Sequence, residues 1–564
     1  MKLLIIGLAG LSAALAVYAA DTRMVDAAQR GDKALAQSLI AAKADINASA
    51  GDGMTALHAA AYNGDADLVA ILLKAGANTK VTTRVDSATP LFMAAKGGNA
   101  PIVGALLKAG GDANDANSNG TTALMAAAAS GSVEAVRLLL DAGADVNRKE
   151  STNGQTALMF AAALNRGPAI RLLLGRGADA KVTTKVQRLG RILIDANGDN
   201  IPTPGTETRS QNAQEQAAAV RNRAAAQDRV FGAQVMGGMT ALHFAARDGQ
   251  MEAIAALTEG GVDVNLVSAS NKTSAMVEAL INAHFDIAKY LLDHNADPKL
   301  QNDDGLTALF AAEDMQWRSN TWYPQPNAAE EKTSYIDLIK QLAAKGADVN
   351  AQMKRTLWYR KFRYGGDWAD VAGATTFWRA AQANDLEGMK TLLALGADPK
   401  IGNSHGISAL MVAAGLGFEW QFTNIVPNQR LAAVKYLVED VHLDLNAKDD
   451  KGYTALHGTA YVGDNETIRY MVAKGADPKT RSNARLGGTQ GSEDATKGEG
   501  DSVADMANGP REKSLLFPET VALLESMGSY NSHNCRSTGC VNPTKQDQPR
   551  TTERTPPATD RPQR

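Results

Sequence analysis

The side chains that could do chemistry in this 564-residue chain are few: eight histidines, two cysteines and the acids beside them. Three of the histidines, His58, His243 and His457, recur at one position of a repeated T-A-L-H phrase. A row of imidazoles could serve catalysis or bind metal. These three lie in different copies far apart along the chain, so each is expected instead to bond the backbone of an adjacent turn. No serine or cysteine stands with a histidine and an acid at a nucleophile motif. There is no Gly-rich phosphate loop and no H-E-x-x-H zinc helix. Hydrolase, kinase and metalloprotease chemistry lack their residues, so neither an enzyme nor a cofactor is expected.

Two further clusters invite a ligand. Asp195, Asn197 and Asp199 in DANGDNIP have the alternating oxygen donors of a calcium loop. Asn200 occupies the place of the loop glycine and Glu207 falls one position late, so a polar turn is expected, with calcium as the weaker alternative. Cys535 and Cys540 are the only cysteines. In an oxidising compartment they would close a small loop worth about 2 kcal/mol, and that disulfide is the expectation. His533 adds only a third ligand, one short of a structural zinc site, and the C-x-x-C-H spacing of haem attachment is absent. An intermolecular or redox-active pair is the remaining alternative.

The elements that must position these residues are written in a repeat. GMTALHAAAYNGDADLVAILLKAGANTK begins at Gly53, ATPLFMAAKGGNAPIVGALLKAGGDAN at Ala88 and GTTALMAAAASGSVEAVRLLLDAGADVN at Gly120. The closing Asp or Asn falls at Asp45, Asn78, Asp112, Asp145 and Asp179, and returns at Asp263, Asp297, Asp348, Asp398, Asp444 and Asp477. Thr55, Thr122, Thr156, Thr240, Thr307 and Thr454 precede apolar helix starts, where a hydroxyl can cap an orphan backbone N–H. Gly64, Gly131, Gly249 and Gly463 stand where that helix must stop. A second helix follows and ends at a second glycine such as Gly143. In period and motif the chain resembles the ankyrin repeats. The resemblance implies an all-α solenoid of stacked helix pairs with finger loops, interrupted here by several long insertions.

The layout follows. Residues 1–20, MKLLIIGLAGLSAALAVYAA, have the charged start, apolar run and small-residue end of a secretory signal peptide. The chain is therefore expected in the periplasm or secreted, cleaved after Ala19 or Ala20, with an uncleaved membrane anchor as the alternative. Residues 21–186 hold repeats 1–5 and 187–236 an insertion. Residues 237–482 hold repeats 6–11, with aromatic-rich insertions at about 315–333, 353–372 and 416–429. Then come a flexible loop at 483–500, a capping repeat at 501–530 and a disordered, Cys-containing tail at 531–564.

Thirteen of the 29 aromatic residues, including all six tryptophans, fall within residues 317–420. Trp and Tyr give large contact area at low entropic cost. Trp317, Trp322, Tyr323, Trp358, Tyr359, Trp368 and Trp420 are thus the candidate partner-binding residues, the alternative being that they pack on one another to stabilise long loops. The balance of 58 basic and 61 acidic residues, a net charge of −3, leaves no field to attract nucleic acid. The expected function is a monomeric protein-binding scaffold without chemistry of its own or membrane insertion after signal removal. An accessory of an exported redox enzyme or cytochrome is the alternative, and an enzyme the remote one. Exported bacterial ankyrin proteins of unassigned function share the look of the Trp-rich insertions and the C-terminal end.

Overall fold

A computed structural model describes residues 22–188, 235–318, 330–355, 370–418, 423–483, 500–510 and 514–532. Within them the chain is a succession of short helix pairs. The first helix of each pair starts where a Thr or Ser hydroxyl accepts the N–H three residues on: Thr89 from Phe92 (3.2 Å), Thr122 from Met125 (3.3 Å), Thr307 from Phe310 (3.2 Å). Thr240 and Thr454 differ, because their hydroxyls meet a histidine ring instead, and Thr22 and Thr156 make no cap bond. The helix that follows is Ala-rich and buried on nearly every side. Ala123–Ser130 buries six of its residues, from Ala123 to Ala128, since small side chains let a neighbouring helix approach from both directions. It stops at Gly131, whose φ of 83° an L side chain tolerates poorly. The second helix, Val133–Asp141, buries only the stripe Ala135, Val136 and Leu139. Its other face is in water.

Two compact units result, residues 1–316 with 325–348 and residues 317–324 with 349–564. The first unit stacks eight pairs: α1/α2 (Arg23–Arg30, Lys33–Ala41), α3/α4 (Ala56–Asn63, Ala66–Lys74), α5/α6 (Pro90–Lys96, Ala100–Lys108), α7/α8 (Ala123–Ser130, Val133–Asp141), α9/α10 (Ala157–Ala163, Gly167–Gly175), α11/α12 (Ala241–Arg247, Met251–Glu259), α13/α14 (Ala275–Ile281, Phe285–Asp293) and α15/α16 (Ala308–Gln316, Tyr335–Ala344). Between α10 and α11 the strands β1 (Val186–Arg188) and β2 (Val235–Gly237) pair antiparallel, so the chain leaves and re-enters at one finger. Helices α9 and α11 pack directly on each other. The second unit stacks four pairs: α17/α18 (Thr376–Gln382, Leu386–Ala394), α19/α20 (Ala409–Ala413, Arg430–Glu439), α21/α22 (Ala455–Tyr461, Asn465–Ala473) and α23/α24 (Val503–Ala507, Pro518–Ser526). This is an all-α repeat solenoid, with one two-stranded hairpin among the described residues.

Two ladders join neighbouring repeats. Along the fingers, a backbone N–H of one loop donates to a carbonyl of the loop before it: Ser118 to Asp86 (2.9 Å), Ser151 to Asn119 (2.8 Å), Lys185 to Asn153 (2.7 Å). At the loop after the second helix an asparagine does the same work. Asn114 donates to the Gly143 carbonyl (3.0 Å) and accepts from Asp145 N (2.8 Å), and Asn147 repeats this with Gly177 and Asp179. Asn265, Asn350 and Asn446 are the later copies.

Candidate functional site

The three motif histidines are structural. In α3, His58 Nδ1 accepts from the Thr55 N–H (3.2 Å) and meets its hydroxyl (2.8 Å), while Nε2 lies 3.0 Å from the Ala88 carbonyl of the next repeat. His243 makes the same bridge between Thr240 and the Thr273 carbonyl (2.8 Å), and His457 bonds Thr454 through Nδ1. A nitrogen that accepts from an N–H is unprotonated, so the ring is neutral with its proton on Nε2. Burial pushes His243 and His457 down to about 4 and lowers His58 as well. Trp378 occupies the same helix position in α17. Fully buried, it sends its indole N–H 2.8 Å to the Ile407 carbonyl of the following repeat. With Phe377 it belongs to the core, not to an insertion.

The two helix–helix insertions of the aromatic-rich stretch are anchored in the second unit on one short turn. Trp317, where the first of them begins, donates its indole N–H to Asp385 Oδ2 at 2.8 Å, and its carbonyl accepts from the buried Arg379. Asp385 is itself the N-cap of α18, accepting from Gly388 N (3.0 Å) through its other oxygen. Val426, near the end of the insertion between α19 and α20, donates to the Ala383 carbonyl at 2.8 Å. Both insertions therefore meet at Ala383–Asp385, the only three residues between α17 and α18.

The same edge continues along the unit. The Arg430 guanidinium, at the start of α20, lies 5.3 Å over the Phe418 ring and 3.9 Å from Asp464, the N-cap of α22. Burial lowers the Arg430 pKa and Asp464 raises it in part. Beneath, the extra turn at Gly415–Leu416 presses on α21 at Gly458. A Cβ there would stand 2.5 Å from Leu416 N. Gly458 is thus where α21 departs from the Ala or Phe of α3 and α11, a departure visible in ALHGTAY against ALHAAAY and ALHFAAR but not interpretable without the contact.

Of the candidate partner-binding residues, Trp317 is half-buried at this edge. Trp322, Tyr323, Trp358, Tyr359, Trp368 and Trp420 lie outside the described residues, as do Asp195, Asn197, Asp199, Cys535 and Cys540. Among the described residues no cluster of three or more His, Cys, Asp or Glu could hold a metal ion. No described helix is long and apolar enough to cross a membrane.

Comparison with known proteins follows the same pattern. Part of the chain is 23% identical over 217 residues to alpha-latrocrustotoxin-Lt1a of Latrodectus tredecimguttatus, which covers 38% of this chain and 13% of the toxin. Another part is 35% identical over 75 residues to the B-cell lymphoma 3 protein homolog of Mus musculus, covering 13% of this chain and 17% of that protein. The chain thus spans less than a fifth of the length of either relative. The family described as Ankyrin repeats (3 copies) matches residues 24–117, 91–184, 216–302, 242–353 and 377–482. With the capped helix pairs and finger ladders in place across more than half of its length, the chain belongs to the ankyrin-repeat family.

Proposed function

We propose that this protein is an exported, non-enzymatic scaffold that binds another protein through the helix–turn edge of its second unit and the tryptophan-bearing insertions rooted there. Protein–protein interaction is the role that ankyrin repeats imply. The observation that carries the site is the meeting of both insertions at Ala383–Asp385. Stacking alone needs no such anchor, since the three-residue turn already closes α17 on α18. Fixing the roots of two long segments on one rigid turn lowers the entropy that a partner would otherwise have to remove. Export rests on the leader-like residues 1–20.

The test joins partner capture to localisation. The native full-length protein, crosslinked in cells and purified, is expected to carry one specific partner, identified by mass spectrometry. Trp317→Phe, which removes only the indole donor to Asp385, should weaken capture several-fold with helical circular dichroism unchanged. Capture unaffected by Trp317→Phe, Trp322→Ala and Trp358→Ala together would overturn the assignment of the edge.

A further inference from the structure

We draw no further inference here: the strongest candidate, the surface patch where Tyr62, Met93, Phe160 and Leu164 leave apolar area unburied along the stacked first helices α3 to α9 of the first unit, carries nothing, because nothing in the structure shows what covers it.

Discussion

At the scale of single residues, a repeated histidine is a device for joining repeats. His58 and His243 each hold a Thr cap at one nitrogen and the next repeat's carbonyl at the other, and Trp378 reproduces the second of these bonds with an indole. The sequence showed the recurrence and its meaning for His58 and His243. It did not show it for Trp378, because a tryptophan close in sequence to Trp-rich insertions looks like one of them until its burial is known. A pH dependence follows. His243 and His457 are lowered to about 4 in the fold from an ordinary 6.5, so the unfolded chain binds their protons first. Their contribution is fully present above about pH 6.5 and is lost as pH falls toward 4, on the order of 3 kcal/mol for each ring. Thermal melts should therefore fall steeply between pH 6.5 and 4.5, and His243→Gln should flatten that slope. Glu278 acts in the opposite sense: burial pushes its carboxyl up to about 7, so its part of the stability is present below about pH 4.5 and lost as pH rises toward 7. A melting temperature unchanged across the lower window would refute the assignment of the histidines.

At the scale of elements, the loop after each second helix decides how tightly one pair is tied to the next. Where the third residue of the D-x-N pattern is Asn, the side chain bonds the following repeat, twice in Asn114, Asn147, Asn265, Asn350 and Asn446 and once in Asn47, which accepts from Asn78 N. Lys80, Lys181, Lys299, Lys400 and Lys479 occupy the same place in the other copies and cannot accept a hydrogen bond. Asn114→Ala should cost about 1–2 kcal/mol through two lost bonds. Lys80→Asn should raise the melting temperature by a few degrees, by adding bonds to the Gly110 carbonyl and Asp112 N–H. Chemical denaturation of the two single variants measures both, and equal midpoints for the two would remove the clamp from the account. These positions are legible in the sequence once the period is aligned, since each clamp joins residues about one repeat apart.

At the scale of the whole molecule, the family assignment and the exported scaffold reading are separate claims with separate checks. If the leader is processed, N-terminal sequencing of protein from the periplasmic fraction should begin at Ala20 or Asp21. The same material should contain no reactive thiol, because Cys535 and Cys540 would be joined after export. An N-terminus at Met1, or two free thiols, would count against export and against the disulfide respectively. What the sequence by itself determined is everything carried by short-range signals: the helix caps, the glycine stops, the period, and hence the all-α repeat fold. Those signals act within one turn or one repeat, so a reader of the chain meets cause and effect close together. Only the tertiary structure decided that Trp317 and Val426, which flank α17 and α18 at long range, meet the same three-residue turn. Stacking brings such residues together, and no local pattern in the chain records which loops it will place side by side.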